Sequence, residues 1–160
     1  MPIHKMPLLP VFHWFEATSI GKFGRHSSVF FPAIEVMHLL GLTLLLGSVL
    51  FVNLKLLGLT SRHQETGEVA RAARPLLWIA IGVTLSSGLL LFLTEAVKCY
   101  FNVAFWYKMA LLALAIVFQL VLQQRIAARP AGLTHARLMG AISLALWFGV
   151  GMAGRAIAFV

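Results

Sequence analysis

Glu35 and His38 stand three positions apart in PAIEVMHLLG, residues 32–41, inside a run that is otherwise apolar enough to dissolve in lipid. At i and i+3 of a helix two side chains share a face, so a carboxylate and an imidazole here are able to act on one object. Three kinds of chemistry suit the pair. An imidazole inside a helical bundle is a standard axial ligand of haem iron. Glu-x-x-His is also half of the signature of carboxylate-bridged di-metal sites in four-helix proteins. Both groups titrate, as a proton or ion carrier requires. A fourth reading involves no reaction: His38 bonds to a neighbouring helix and Glu35 pairs with Arg155 or Lys108, as glue between helices.

For haem b, Met152 is the candidate second axial ligand, and Arg155, at i+3 from it, is the candidate partner of a propionate. No second histidine falls in an apolar run, so a paired-His haem site requires a second copy or another subunit. For copper or another transition-metal ion, the candidate ligands are Glu35 and His38, with His26 the nearest further histidine; the second copy of the di-metal motif is absent. The chain equally suits a protein with no cofactor. No catalytic residue is assigned, because phosphate-cradling glycine loops and nucleophile elbows are both missing.

These residues need elements to hold them, and composition names the solvent. With 60% hydrophobic and 11% charged residues in 160, the chain lies outside the range of soluble domains and within that of bilayer proteins. The net charge of +8 arises from Lys and Arg in short segments between apolar runs, where such residues set topology, so nucleic acid is not expected as a partner. Cys99 is the sole cysteine, which excludes an intrachain disulfide and a Cys-based zinc site. The first residues lack the apolar core and cleavage site of a signal peptide and are expected to be retained.

Charge-poor runs of about 20 residues predict four membrane-spanning helices: roughly Phe30–Leu57, Leu76–Thr94, Val103–Leu122 and Leu138–Phe159. Pro75 and Pro130 are read as helix boundaries. Residues 1–28 form an N-terminal interfacial segment, with Val11, Phe12, Phe15 and Phe23 on one side of a helix, and residues 29–160 form an all-α four-helix transmembrane domain. Ala141, Ala145, Gly149 and Ala153 on the fourth helix, and Thr84 with Gly88 on the second, predict close seams. Asn53 and Lys55 are expected to snorkel to the far interface, and Trp14, Trp78, Trp106 and Tyr107 to mark the membrane boundaries.

Nine residues at about 1.5 Å each carry His38 about 13 Å into the bilayer. Antiparallel threading brings Glu95, Lys108, Met152 and Arg155 to the same end, so these and the Glu35–His38 pair are expected to form one inward-facing polar layer. An intramembrane Arg or Lys costs about 2.5–3.5 kcal/mol or more on insertion scales, which favours pairing. Seven basic residues flank the first and third connections against six on the opposite side, and the clustering of Arg in the third places both termini outside the cytoplasm.

Three segments, FFPAIEVMHLLGLTLLLGSVLFVNLKLLGL, FNVAFWYKMALLALA and SLALWFGVGMAGRAIAF, resemble a family of small, uncharacterised bacterial inner-membrane proteins with four helices. More distantly they are similar to the membrane domain of copper-resistance protein D. The resemblance rests on Pro32, Glu35, His38 and Gly41, spaced P-x-x-E-x-x-H-x-x-G, and on Gly154–Arg155. It implies a bacterial inner-membrane location and metal or redox handling on the periplasmic side. The reading that follows is a small haem b- or metal-binding membrane subunit supporting electron transfer, with a membrane or periplasmic partner or a second copy. Its rival is a cofactor-free structural or assembly subunit of a membrane complex.

Overall fold

The computed structural model describes residues 8–59, 66–128, 133–157 and 159. Seven helices follow one another: α1 (Leu9–Glu16), α2 (Ser19–His26), α3 (Phe30–Leu57), α4 (Thr66–Thr94), α5 (Ala96–Phe101), α6 (Val103–Ala128) and α7 (Leu133–Ala156), and no strand occurs among the described residues. Four of them, α3, α4, α6 and α7, are long and apolar enough to cross a membrane. Trp14, Trp78, Trp106 and Tyr107 are all exposed.

α3 has the bounds the apolar run predicts. It stops at Gly58, whose φ of 77° is open to glycine at little cost. There Gly58 N–H donates to Lys55 O and Leu59 N–H to Leu54 O, the Schellman arrangement that satisfies the last carbonyls. α4 begins earlier than expected and runs through Pro75. The proline therefore does not bound the helix. It deprives the carbonyl of Arg71, four residues back, of its donor, but Arg71 is exposed. Val69 is buried in that added stretch, and Ala70 and Ala73 pack beside Val52, Leu56 and Leu122, which extends the helix past the charge-free run. Pro130 lies outside the described residues.

The N-terminal segment is two short helices where one was expected. Thr18 breaks the chain between them: its hydroxyl donates to Phe15 O and accepts from Gly21 N–H, capping α2. Arg25 then ties both helices to the bundle, pairing with the Glu16 carboxylate at 2.9 Å and donating to the carbonyls of Glu16 and Thr94. Phe12 is buried against Phe92, Tyr100 and Trp106, while Val11 and Phe23 are exposed. Asn102 closes the same end. Its Oδ1 accepts from Phe105 N–H to start α6, and its Nδ2 donates to Ile157 O just past the end of α7.

Around the bundle the order is α4, α3, α7, α6. α3 packs extensively on α4 and on α7, and α7 on α6, whereas α4 and α6 meet at few points. The core joins Leu45, Val49, Leu77, Ile81, Ala115, Trp147 and Val150. Gly41 marks the closest approach of α3 to α4, where a Cβ would come within 2.8 Å of Thr84 Oγ1. Of the alanine ladder expected on α7, Ala141 and Ala145 are exposed, while Gly149 meets α6, against Leu111. Close packing of α7 on α3 falls instead at Gly140, beside Leu56 and the Asn53 carbonyl.

Candidate functional site

The parted seam between α4 and α6 opens into a cavity of about 360 Å³. α3 contributes His38, Leu42 and Leu45; α4 contributes Thr84, Leu85, Gly88, Leu89 and Phe92; α6 contributes Phe105, Lys108, Met109 and Leu112; and α7 contributes Trp147 and Val150. The volume falls in the range of small-molecule and cofactor sites, about 300–1,000 Å³. Leu85, Leu89 and Met109 are exposed, so the mouth faces the side of the bundle, where lipid lies.

His38 is buried, and Nδ1 lies 3.0 Å from Ser87 Oγ. The Ser87 hydroxyl has one proton, and it donates that proton to Val83 O at 2.6 Å. Its oxygen is therefore the acceptor toward His38, which fixes the imidazole as the Nδ1–H tautomer. In that tautomer Nε2 keeps its lone pair. The Nδ1–Cε1 edge rests on Gly88, where a Cβ would stand 3.1 Å from Cε1. A glycine at 88 thus lets that edge of the ring approach α4 closely.

Lys108, five residues into α6 and about 7.5 Å along it, reaches into the same cavity across Gly154 of α7. A Cβ at 154 would meet its Cε at 3.5 Å and its Nζ at 3.6 Å. No carboxylate lies within ion-pair distance of Lys108 among the described residues. Phe92 and Phe105 stack with rings 5.7 Å apart at one end of the cavity, held from behind by Phe12 and Phe15 of α1 on Phe92. Trp147 lines the inner side.

Of the expected polar layer, the cavity gathers His38 and Lys108 and leaves the others out. Glu35 is exposed on α3, 60° round from His38, and makes no ion pair with Arg155 or Lys108. Glu95 is engaged by Lys98 at 3.3 Å. Arg155 is exposed, its guanidinium 5.4 Å from the centre of the Phe159 ring. Met152 is 56% exposed and forms no part of the cavity wall; the methionine that does is Met109. His13, His26 and His135 are all exposed, and His4 and His63 lie outside the described residues. No group of three His, Cys, Asp or Glu side chains is assembled among the described residues.

Asn53 belongs to a second polar layer and does not snorkel. It is 1% exposed and donates from Nδ2 to Ser143 Oγ at 2.9 Å. Ser143 Oγ and Trp147 Nε1 both donate to Gln119 Oε1, so this layer joins α3, α6 and α7. Only Asn53 Oδ1 is left without a partner there. Trp147 is shared: its N–H closes the second layer while its ring faces the cavity.

Residues 11–160 match the model of DUF6644, a family of unknown function. No curated protein and no solved structure matches the chain, so the similarity to copper-resistance protein D gains no support from them.

Proposed function

The chain belongs to DUF6644 over nearly its whole length, and on that footing we propose that it is a small haem b-binding membrane subunit. Its role is electron transfer at the periplasmic side of the bacterial inner membrane, with a membrane or periplasmic partner. One observation carries the reading: a single imidazole, held through Nδ1 by Ser87, lines an apolar cavity, which leaves Nε2 as the ring nitrogen able to take a ligand. A bare copper or other metal ion takes several protein donors, and Glu35, turned outward, is not placed to join His38. A porphyrin brings its own four nitrogens, so one protein ligand suffices.

Bound haem supplies one-electron chemistry. The chain's part is to hold and surround it. His38 would hold the haem iron, and Ser87 would orient the imidazole through Nδ1. Phe92, Phe105 and Trp147 form walls that exclude water. Met109 takes the place of Met152 as the thioether in the cavity, and Lys108 that of Arg155 as the cation for a propionate.

The test is optical. Haemin titrated into the purified protein gives a shifted Soret band, and His38→Ala weakens binding by about 100-fold or more. Ser87→Ala, which frees the ring without removing the ligand, weakens it by about 10-fold. A colourless protein that takes up no haemin sinks the proposal.

A further inference from the structure

Lys108 brings an ammonium into an apolar cavity that contains no acid of its own. The two ion pairs among the described residues, Arg25–Glu16 and Lys98–Glu95, lie elsewhere, and Glu35 is turned outward. Packing holds the lysine there: its chain runs over Gly154, close enough that a larger side chain at that position would displace it. Charges at membrane depth pair or serve function, so an unanswered one marks a place where something negative arrives. The route is also visible. α4 and α6 part, and the mouth is flanked by exposed Leu85, Leu89 and Met109.

We infer that Lys108 is the carboxylate receptor of a ligand that dissolves in the bilayer and enters the cavity sideways between α4 and α6. The ligand class is a lipophilic carboxylic acid: an apolar body for the Leu and Phe walls, and a carboxylate for the ammonium. On the haem reading, on which the ligand's identity rests, that carboxylate is a propionate; the recognition itself needs no iron and no ligation by His38.

The experiment uses two probe pairs on the full chain in lipid nanodiscs: iron-free protoporphyrin IX with its dimethyl ester, and a fluorescent long-chain fatty acid with its methyl ester. The wild-type protein is expected to bind the free acid at least tenfold more tightly than the ester in at least one pair. Lys108→Met removes that preference while ester binding persists, and Lys108→Arg restores it. Gly154→Leu, which keeps the lysine but moves it, weakens acid binding without weakening ester binding. Equal affinity for acid and ester in both pairs, or a preference that survives Lys108→Met, overturns the inference. The haem reading fails separately, by the absence of a haemin Soret shift in a protein that still selects acids over esters.

Discussion

Two polar layers cross this bundle, and they are built to opposite specifications. The layer of Asn53, Ser143, Gln119 and Trp147 is neutral, buried and bonded across three helices. The layer of His38 and Lys108 is ionisable, borders a cavity, and holds an ammonium without an ion-pair partner among the described residues. A bundle needing only adhesion has it in the first layer. Apart from Asn53 Oδ1, the first layer bonds within itself, whereas the second sets an ammonium with no ion pair among the described residues beside a cavity, which is the physical mark of a site.

Stability measurements can break that contrast. The largest effect is expected at the α3–α4 crossing between the two layers: Gly41→Leu forces a side chain onto Thr84 and Val83 and costs up to about 3 kcal/mol in unfolding. Asn53→Ala removes a bond from the closed layer and costs about 1 kcal/mol, with haemin binding unchanged. Lys108→Met has the opposite sign, because it withdraws an unpaired charge from an apolar wall; the melting temperature stays or rises, by less than about 1 kcal/mol of stability. A large loss in Lys108→Met, or an unchanged melt in Asn53→Ala, erases the distinction.

The smallest effect concerns Cys99, on α5 outside both layers. Burial pushes its thiol up to about 11, helped by Glu95 and opposed by Lys108 and Lys98. At pH 8 the thiolate fraction is then about one in a thousand, and maleimide labelling should rise about tenfold per pH unit up to that range. Because the folded value lies above the unfolded one, the buried thiol's contribution is complete below pH 9 and is lost as pH climbs toward 11. Cys99→Ser should flatten that slope; an equal slope in the variant assigns it to other groups.

Much of the fold was legible because lipid imposes it. The apolar run from Phe30 to Leu57 matches the bounds of α3, and His38, expected to face inward there, is buried. What failed was the facing of residues at equal depth. Lys108 and Arg155 are both basic and both near the same end, yet only packing decides which turns inward, and the decisive feature, the Gly154 shelf, is a contact between helices. Met152, expected in the inward layer, is exposed, while Met109 lines the cavity, for the same reason. Asn53 was readable: it continues the i, i+4 row of Leu45 and Val49, both buried, which points it at the core. α4 was cut short because counting charges ignored Val69, Ala70 and Ala73, whose small apolar side chains pack although Glu68, Arg71 and Arg74 stand among them.

The gap between α4 and α6 makes the bundle a clamp whose fourth side is supplied by whatever amphiphile surrounds it. Acyl chains complete the enclosure in a bilayer, and detergent tails complete it differently in a micelle. Enclosure of the cavity is therefore a joint property of polypeptide and solvent, and changing the solubilising agent alters its wall without touching a single residue.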